Sequence, residues 1–240
     1  MLVEVCANSL ESALNAQKAG ADRIELCSEL AVGGITPSFG LLKSIKEQLS
    51  IPVHVLIRPR SGDFTFSREE FNIMQQNIKL CVDLGFNGIV SGVLNHDFTI
   101  DVQRTKELKK LSGNLKFTFH RAFDWVSDPF KALSQLEVLE MNSILTSGQQ
   151  KSAIMGIDLL TDLHKKSSNC VIMPGGGVNA KNVAQFKARD FKAVHLSGVK
   201  FRQTLNSKPL VSMNSSSFLV DEGVYVSNRD GIKSVLKEVK

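Results

Sequence analysis

The sequence is short of the features that mark several classes of protein. Its four cysteines include no C-x-x-C pair, which argues against a zinc finger or ribbon; they are Cys6, Cys27, Cys81 and Cys170. No basic run with interleaved aromatic residues occurs, so the net charge of +5 indicates solvated helix faces rather than a nucleic-acid surface. No apolar run approaches the roughly 18 residues of a membrane span. We therefore expect a protein that binds neither nucleic acid nor membrane.

The start of the chain also lacks a basic segment ahead of an apolar one. That pattern predicts no secretory signal. Free cysteines are the rule in a reducing compartment. These observations together predict a cytoplasmic protein with free thiols.

What the sequence does contain is a repeated alternation of short β-rich runs and helical patterns. The runs recur roughly every 20 to 35 residues, the size of one βα unit. They are Leu2–Cys6, Arg23–Cys27, Val53–Arg58, Gly88–Gly92, Lys116–His120, Ser143–Ser147, Cys170–Met173 and Ala193–Ser197. Eight such units without a linker predict an α/β fold, a closed (β/α)8 TIM barrel that forms a single domain over residues 1–240.

One segment does not fit a simple βα unit. Residues 198–228 separate the last run from a final helix near Arg229–Lys240. A loop of that length is usually functional or mobile. We expect it to cover the active end of the barrel or to join a contact between subunits.

Strand parity predicts an unusually polar barrel interior. Val3 and Val5 should face the helices, so Glu4 and Cys6 point inward. The same argument places further side chains inside the barrel: Glu25, Cys27, His54, Leu56, Arg58, Thr118, His120, His195 and Ser197. Because burying unpaired charges is costly, these groups either form a buried pair, with Arg58 against Glu4 or Glu25, or serve a ligand.

The second alternative makes several of these residues candidates for catalysis. The functional groups of β/α barrels lie at the C-terminal ends of the strands. On that ground the candidate catalytic residues are His120, Glu4, Glu25, Arg58 and Asp124. His120 is equally suited to acid/base catalysis and to a fixed hydrogen bond.

Anion-binding groups are predicted beside them. Guanidinium groups suit carboxylate and phosphate, which makes Arg60 and Arg121 candidates, although loop salt bridges would explain both equally well. Ser197 ends the eighth run, and Gly175, Gly176 and Gly177 follow the seventh, in loops where barrels often bind phosphate. A plain tight turn is the alternative for the glycines.

Longer motifs resemble those of the CutC copper homeostasis family. They are Gly20–Cys27, Ile57–Arg60 with Gly62–Phe64, Phe119–Asp124, Leu145–Gly148 and Gly175–Val178. The resemblance extends from the first run to about Ser197, and Ser61 departs from it where the family often has glycine. It implies a β/α barrel, a cytoplasmic location, a homo-oligomer and copper binding.

Two cysteines give the copper hypothesis its physical basis. Cu(I) prefers thiolates, and Cys6 and Cys27 should point inward at the ends of strands about 4.8 Å apart. They could hold one cuprous ion, or they could be small buried fillers. Two functions therefore compete: copper binding through these thiols, and an enzyme that acts on a small anionic or phosphorylated substrate by acid/base chemistry.

Overall fold

Eight parallel strands form the centre of the molecule in the computed structural model, which describes residues 1–212 and 223–240. The strands β1 to β8 span Leu2–Ala7, Arg23–Leu26, Val53–Leu56, Gly88–Ser91, Lys116–Phe119, Ser143–Thr146, Val171–Pro174 and Ala193–Leu196. They lie side by side in the order β7-β6-β5-β4-β3-β2-β1-β8. An isolated parallel bridge between Gly175 and His195 joins the two ends of this series. The predicted TIM barrel is confirmed.

Helices connect the strands and cover the outside of the barrel. The helices α1 to α8 span Leu10–Ala19, Phe39–Gln48, Arg68–Asp83, Val102–Leu111, Pro129–Val138, Ile157–Lys166, Val183–Lys187 and Arg229–Val239. Ser67 and Glu70 form a capping box at the start of α3 and so satisfy N–H groups that have no partner within the helix. Of the helices in the described ranges, none is both long and apolar enough to span a membrane.

The strand parity read from the sequence is confirmed. Val3, Val5 and Val194 belong to the large apolar core between strands and helices. Inside the barrel the described residues form two small apolar clusters. One consists of Cys6, Cys27, Leu56 and Val90, and the other of Leu145, Met173 and Ala193. The polar side chains that parity turned inward, among them Glu4 and Glu25, are buried inside the same barrel.

The segment 198–228 is not one long loop. Val199–Gln203 and Gly223–Ser227 form strands β9 and β10, which pair antiparallel, and β10 packs against α1. The middle of the predicted loop, residues 213–222, lies outside the described residues. The predicted homo-oligomer, which was linked to this segment, stays a prediction.

Candidate functional site

A cavity of about 740 Å³ opens at the C-terminal ends of the strands. Most of the residues selected from the sequence line it, namely Cys6, Glu25, Arg58, His120, Arg121, Asp124, Gly176, Gly177 and Ser197. Glu4, Cys27, Arg60 and Gly175 lie outside this lining. Its volume is in the range of pockets that hold small molecules.

Glu4 is fully buried beneath the cavity, where Arg23 is its partner. Arg23 Nε lies 2.5 Å from Glu4 Oε2, and His195 Nδ1 lies 2.9 Å from Glu4 Oε1. Burial opposes ionisation of Glu4, but Arg23 and His195 outweigh it and lower the pKa of this carboxyl to about 2. The predicted alternative of a buried pair between a glutamate and Arg58 is wrong, because Arg23 takes that position.

Glu25 is held differently from Glu4. Its Oε2 lies 3.2 Å from His195 Nδ1, but the hydrogen bond of that nitrogen is directed at Glu4. Glu25 Oε2 is therefore buried without a hydrogen-bond partner among the described residues. Burial, reinforced by the Glu4 carboxylate, raises the pKa of Glu25 to about 7, and the two carboxylates raise the pKa of His195 despite its burial. Burial and the Glu4 carboxylate therefore favour the protonated form of Glu25, and the two carboxylates favour the protonated form of His195.

Arg58 joins the loops that follow β2 and β3. Its Nη1 donates to Val32 O at 2.8 Å and to Gly34 O at 3.0 Å, and its Nη2 donates to Gly62 O at 2.6 Å. Its guanidinium lies over the Phe64 ring, 4.9 Å from the centroid. Its Nε is buried without a partner, and no ion pair within the described ranges involves this residue. The cavity wall therefore carries a positive charge that no carboxylate contacts.

His120 is fixed as a hydrogen-bond donor. Its Nδ1 accepts the Ala122 N–H at 3.3 Å, so the proton of the neutral ring belongs on Nε2, which is buried without a partner in the described part of the chain. The Phe64 ring packs against the imidazole at 4.8 Å between centroids. Burial, with Arg58 nearby, lowers the pKa of His120 to about 3. The arrangement favours the fixed hydrogen bond over proton exchange by this residue.

Asp124 anchors the loop that follows β6. Its carboxylate accepts hydrogen bonds from the Thr146 hydroxyl and from the backbone N–H groups of Ser147 and Gln149. It also contacts Arg121 Nε at 2.7 Å, while Arg121 Nη2 donates to the Ser147 hydroxyl at 2.9 Å. Asp124 therefore holds Arg121 at the cavity wall.

Arg60 lies away from the cavity in a loop ion pair. Its Nε contacts Glu70 at 2.6 Å and its Nη2 contacts Asp63 at 3.1 Å. These contacts agree with the loop salt bridge that the sequence left open for this residue. They leave Arg58 and Arg121 as the guanidinium groups at the cavity.

The glycines after β7 play unequal parts. Gly176 has a φ of +101° and lies so close to Arg121 that a Cβ would be 3.4 Å from Nη1. Gly175 faces the barrel interior, where a Cβ would meet Leu145 at 2.4 Å. The helix that follows has Asn182 as its N-cap, and the Asn179 side chain accepts the Lys181 N–H in the preceding turn.

Cys6 and Cys27 lie side by side, as strand parity predicted. Their sulfurs are 3.4 Å apart and share a hydrogen bond, and both thiols are free. The potential ligand atoms of Cys6, Glu25 and His195 lie within 4.8 Å of one another. The bond to Cys27, burial and the nearby carboxylates raise the pKa of Cys6 well above its ordinary value.

Comparison with known proteins gives the family. The model of the CutC family matches residues 1–200. The chain belongs to the CutC family. The CutC family protein of Photorhabdus laumondii is 43% identical over 236 residues, which cover 98% of this chain and 95% of that protein. That of Edwardsiella ictaluri is 48% identical over 197 residues, covering 82% and 78%. The crystal structure of CutC from Streptococcus agalactiae, described provisionally as a copper homeostasis protein, has a TM-score of 0.78 at 34% identity and covers 82% of this chain and 98% of its own.

Three residues at this site of the CutC chain were not selected from the sequence. Arg23 stands two positions before Glu25 on the same strand. The alternation that places Glu25 inside the barrel therefore places Arg23 there as well. His195 was placed inside the barrel, but its contacts with both glutamates were not foreseen. Trp125, the only tryptophan, is half-exposed at the cavity, with its ring edge-on to Phe64 at 5.0 Å. No sequence pattern pointed to Trp125.

Proposed function

We propose that this CutC family member is an enzyme that binds a small anionic substrate at the mouth of the barrel and moves protons with Glu25. One observation carries the proposal. Glu25 Oε2, Arg58 Nε and His120 Nε2 are all buried without a hydrogen-bond partner among the described residues, and all three residues line one cavity. Buried polar atoms are nearly always partnered, so a ligand that supplies partners to these three would stabilise the site.

The charges at the cavity favour an anion. Arg58 contacts no carboxylate within residues 1–212 and 223–240, whereas Arg121 is matched by Asp124. Below the cavity, Arg23 and Glu4 compensate each other. His195 lies against Glu4 and Glu25, which leaves the guanidinium of Arg58 as the charge at the cavity that no carboxylate of the described residues contacts. In a partly enclosed site such a charge attracts carboxylate or phosphate strongly.

Glu25 is better suited than His120 to act as the general acid and base. A carboxyl group with a pKa near 7 can both take and return a proton at neutral pH. The pKa of His120, near 3, keeps its ring neutral and able only to donate from Nε2. Glu4 supports this division, because its charge, fixed by Arg23, holds the imidazole of His195 in place.

Trp125 provides a direct test of anion binding. Phosphate or oxalate, titrated at constant ionic strength, should change the fluorescence of this single tryptophan saturably, and chloride should not. Arg58→Gln should raise the Kd about tenfold or more, since a hydrogen bond to a charged group contributes about 1.5–3 kcal/mol. Arg60→Gln is the matched control and should bind as the parent does. An equal response to chloride, or equal weakening by both substitutions, would contradict the anion site.

Copper binding is a second candidate, favoured by the 3.4 Å separation of the Cys6 and Cys27 sulfurs. The donor set suits Cu(I), since both thiols are soft. The fit is incomplete in two respects. With metal–sulfur distances of about 2.3 Å, as for zinc, a linear S–Cu–S arrangement needs sulfurs about 4.6 Å apart. The carboxylates that raise the pKa of Cys6 also oppose a second negative charge beside it.

Cu(I) competition decides between thiolate binding and buried fillers. If copper is the ligand, one Cu(I) per chain should bind under anaerobic conditions against a chromogenic chelator. Cys6→Ser with Cys27→Ser should then abolish binding, and Cys81→Ser with Cys170→Ser should leave it unchanged. A Cys6/Cys27 double variant that competes as well as the parent would end the copper proposal.

The four free buried thiols also support a reducing, cytoplasmic location.

A further inference from the structure

Glu25 and His120 approach the cavity from far sides of the barrel. Glu25 lies on β2, and His120 follows the end of β5. Strands β3 and β4 separate these two in the ring. A small substrate in the cavity therefore lies between a carboxylate oxygen on one side and an imidazole N–H on the other.

The surrounding contacts fix the role of each group, His120 as a hydrogen-bond donor and Glu25 as a proton acceptor. The Ala122 N–H occupies His120 Nδ1, and Phe64 packs on the ring, so Nε2–H stays directed away from the backbone. On the other side, His195 Nδ1 is directed at Glu4, which leaves Glu25 Oε2 without a hydrogen-bond partner among the described residues. The site thus offers one fixed donor and one fixed proton acceptor.

The hydroxyl group of Ser147 and the thiol group of Cys6 are poorly placed as nucleophiles. Ser147 Oγ donates to the Gln150 carbonyl at 2.6 Å and accepts from Arg121 at 2.9 Å. Cys6 is hydrogen-bonded to Cys27 beside two carboxylates, an environment that opposes the thiolate. Covalent attack by either residue is therefore disfavoured relative to proton transfer.

We infer that the substrate is a small acid that contains a carbonyl group, and that Glu25 removes a proton from the carbon next to that carbonyl while His120 Nε2–H binds the carbonyl oxygen. This inference rests on the proposed function and names its substrate class. The C–H electron pair becomes the C=C bond of an enolate, and the carbonyl π pair moves to the oxygen. The proton passes to Glu25 Oε2, which returns it to carbon in the reverse step. No other reactant is consumed.

The two groups make complementary contributions to this step. A carboxylate positioned as general base contributes about 10²–10⁴-fold. A preorganised N–H donor at an oxygen that gains negative charge contributes about 10²–10³-fold, because it does not reorient during the reaction. Arg58 holds the acid group of the substrate and so keeps the reacting carbon between Glu25 and His120.

Deuterium exchange tests the inference without knowledge of the product. The protein is incubated in D2O with pyruvate, 2-oxobutyrate or dihydroxyacetone phosphate, and proton NMR follows loss of the signal from the C–H next to the carbonyl. At least one probe that changes Trp125 fluorescence should exchange faster than without protein. Lactate and glycerol 3-phosphate carry the acid without the carbonyl and should not exchange.

Variants assign the exchange to the two residues. Glu25→Gln should slow it about 100-fold or more, and Glu29→Gln, an exposed residue of the next loop, should not. His120→Phe keeps a ring against Phe64 but removes the donor, and should slow exchange about 100-fold; His96→Ala is its control. Melting curves verify that each variant is folded.

The outcomes separate this inference from the proposed function. Probes that bind at Trp125 but show no exchange overturn the inference and leave anion binding in place. Exchange at the parent rate in folded Glu25→Gln also overturns it. Failure of every anion to bind overturns both proposals.

Discussion

Replacing Arg23 with leucine is expected to lower the free energy of unfolding by about 3–5 kcal/mol at pH 7. The Glu4 carboxylate is fully buried, and Arg23 is the cation in contact with it. Removing the guanidinium leaves a buried charge with only His195 beside it, which is the costly way to break an ion pair. Chemical denaturation monitored by Trp125 fluorescence measures the difference.

The loss of stability in Arg23→Leu should depend on pH. The pKa of Glu4 is about 2 in the folded protein and near its ordinary value of 4.5 when the chain unfolds. A lowered folded-state pKa contributes stability that is fully present above pH 4.5 and is lost as the pH falls toward 2. The gap between parent and variant should therefore be widest near neutral pH and narrow below pH 4.5.

Two further variants separate charge from packing. Glu4→Gln combined with Arg23→Leu removes the uncompensated charge and should recover part of the loss. Arg202→Leu breaks the exposed ion pair with Glu11 and should change stability little. If Arg23→Leu is no more destabilising than Arg202→Leu, or if its effect is the same at pH 7 and pH 3, the buried pair does not stabilise the barrel as described.

Asp124→Ala is expected to lower the free energy of unfolding by about 3 kcal/mol. Several donors lose their acceptor at once, among them the buried Thr146 hydroxyl and the Ser147 N–H, and each unsatisfied buried group costs about 1–3 kcal/mol. For a protein of this size the melting temperature should fall by roughly 6–12 °C.

The same variant distinguishes the two interpretations of Asp124. If Asp124 anchors the loop after β6, Asp124→Ala should lose stability. Asp124→Asn keeps one acceptor oxygen and should recover part of that loss. If Asp124 is instead a catalytic residue, as the sequence suggested, Asp124→Ala should remain stable and should lose deuterium exchange. Asp162→Ala, on the exposed face of α6, is the control for loss of one carboxylate. A melting temperature equal to that of this control would contradict the anchoring role.

The fold followed from the sequence because each strand is short, buried and set between helical segments. The run Cys170–Met173, for example, differs by one residue at each end from the strand Val171–Pro174. Alternation then placed Glu4, Glu25 and His195 correctly inside the barrel. These predictions need only local periodicity, which the sequence contains.

The pairing of these side chains could not be predicted, since it depends on how neighbouring strands are staggered. In the barrel Glu4 lies level with Arg23 and His195, and Cys6 lies level with Glu25. That register comes from the shear needed to close eight strands, which no single strand encodes. The sequence alone suggested that Glu4 and Glu25 were equivalent. The stagger instead gives Glu4 an ion pair with Arg23 and places Glu25 in the lining of the cavity.

Loop conformation set the other limit on the sequence analysis. Arg58 was expected to project inward from a strand, but β3 ends at Leu56 and its guanidinium binds carbonyl groups of two loops. Likewise, the Nδ1 of His120 is engaged by the N–H of the turn that follows it. Which carbonyl or N–H a loop presents depends on backbone angles, and the residue types in these loops did not determine them.

The bridge between Gly175 and His195 closes the barrel at a residue whose side chain contacts both Glu4 and Glu25. A sheet parts most readily where its ladder is thinnest, so local opening should begin between β7 and β8. Each such opening separates Gly175 from His195, while β8 stays paired with β1 at Glu4. A ligand in the cavity, which His195 and Gly176 line, would reduce this opening and should slow hydrogen exchange of the β8 amides more than that of the β4 amides.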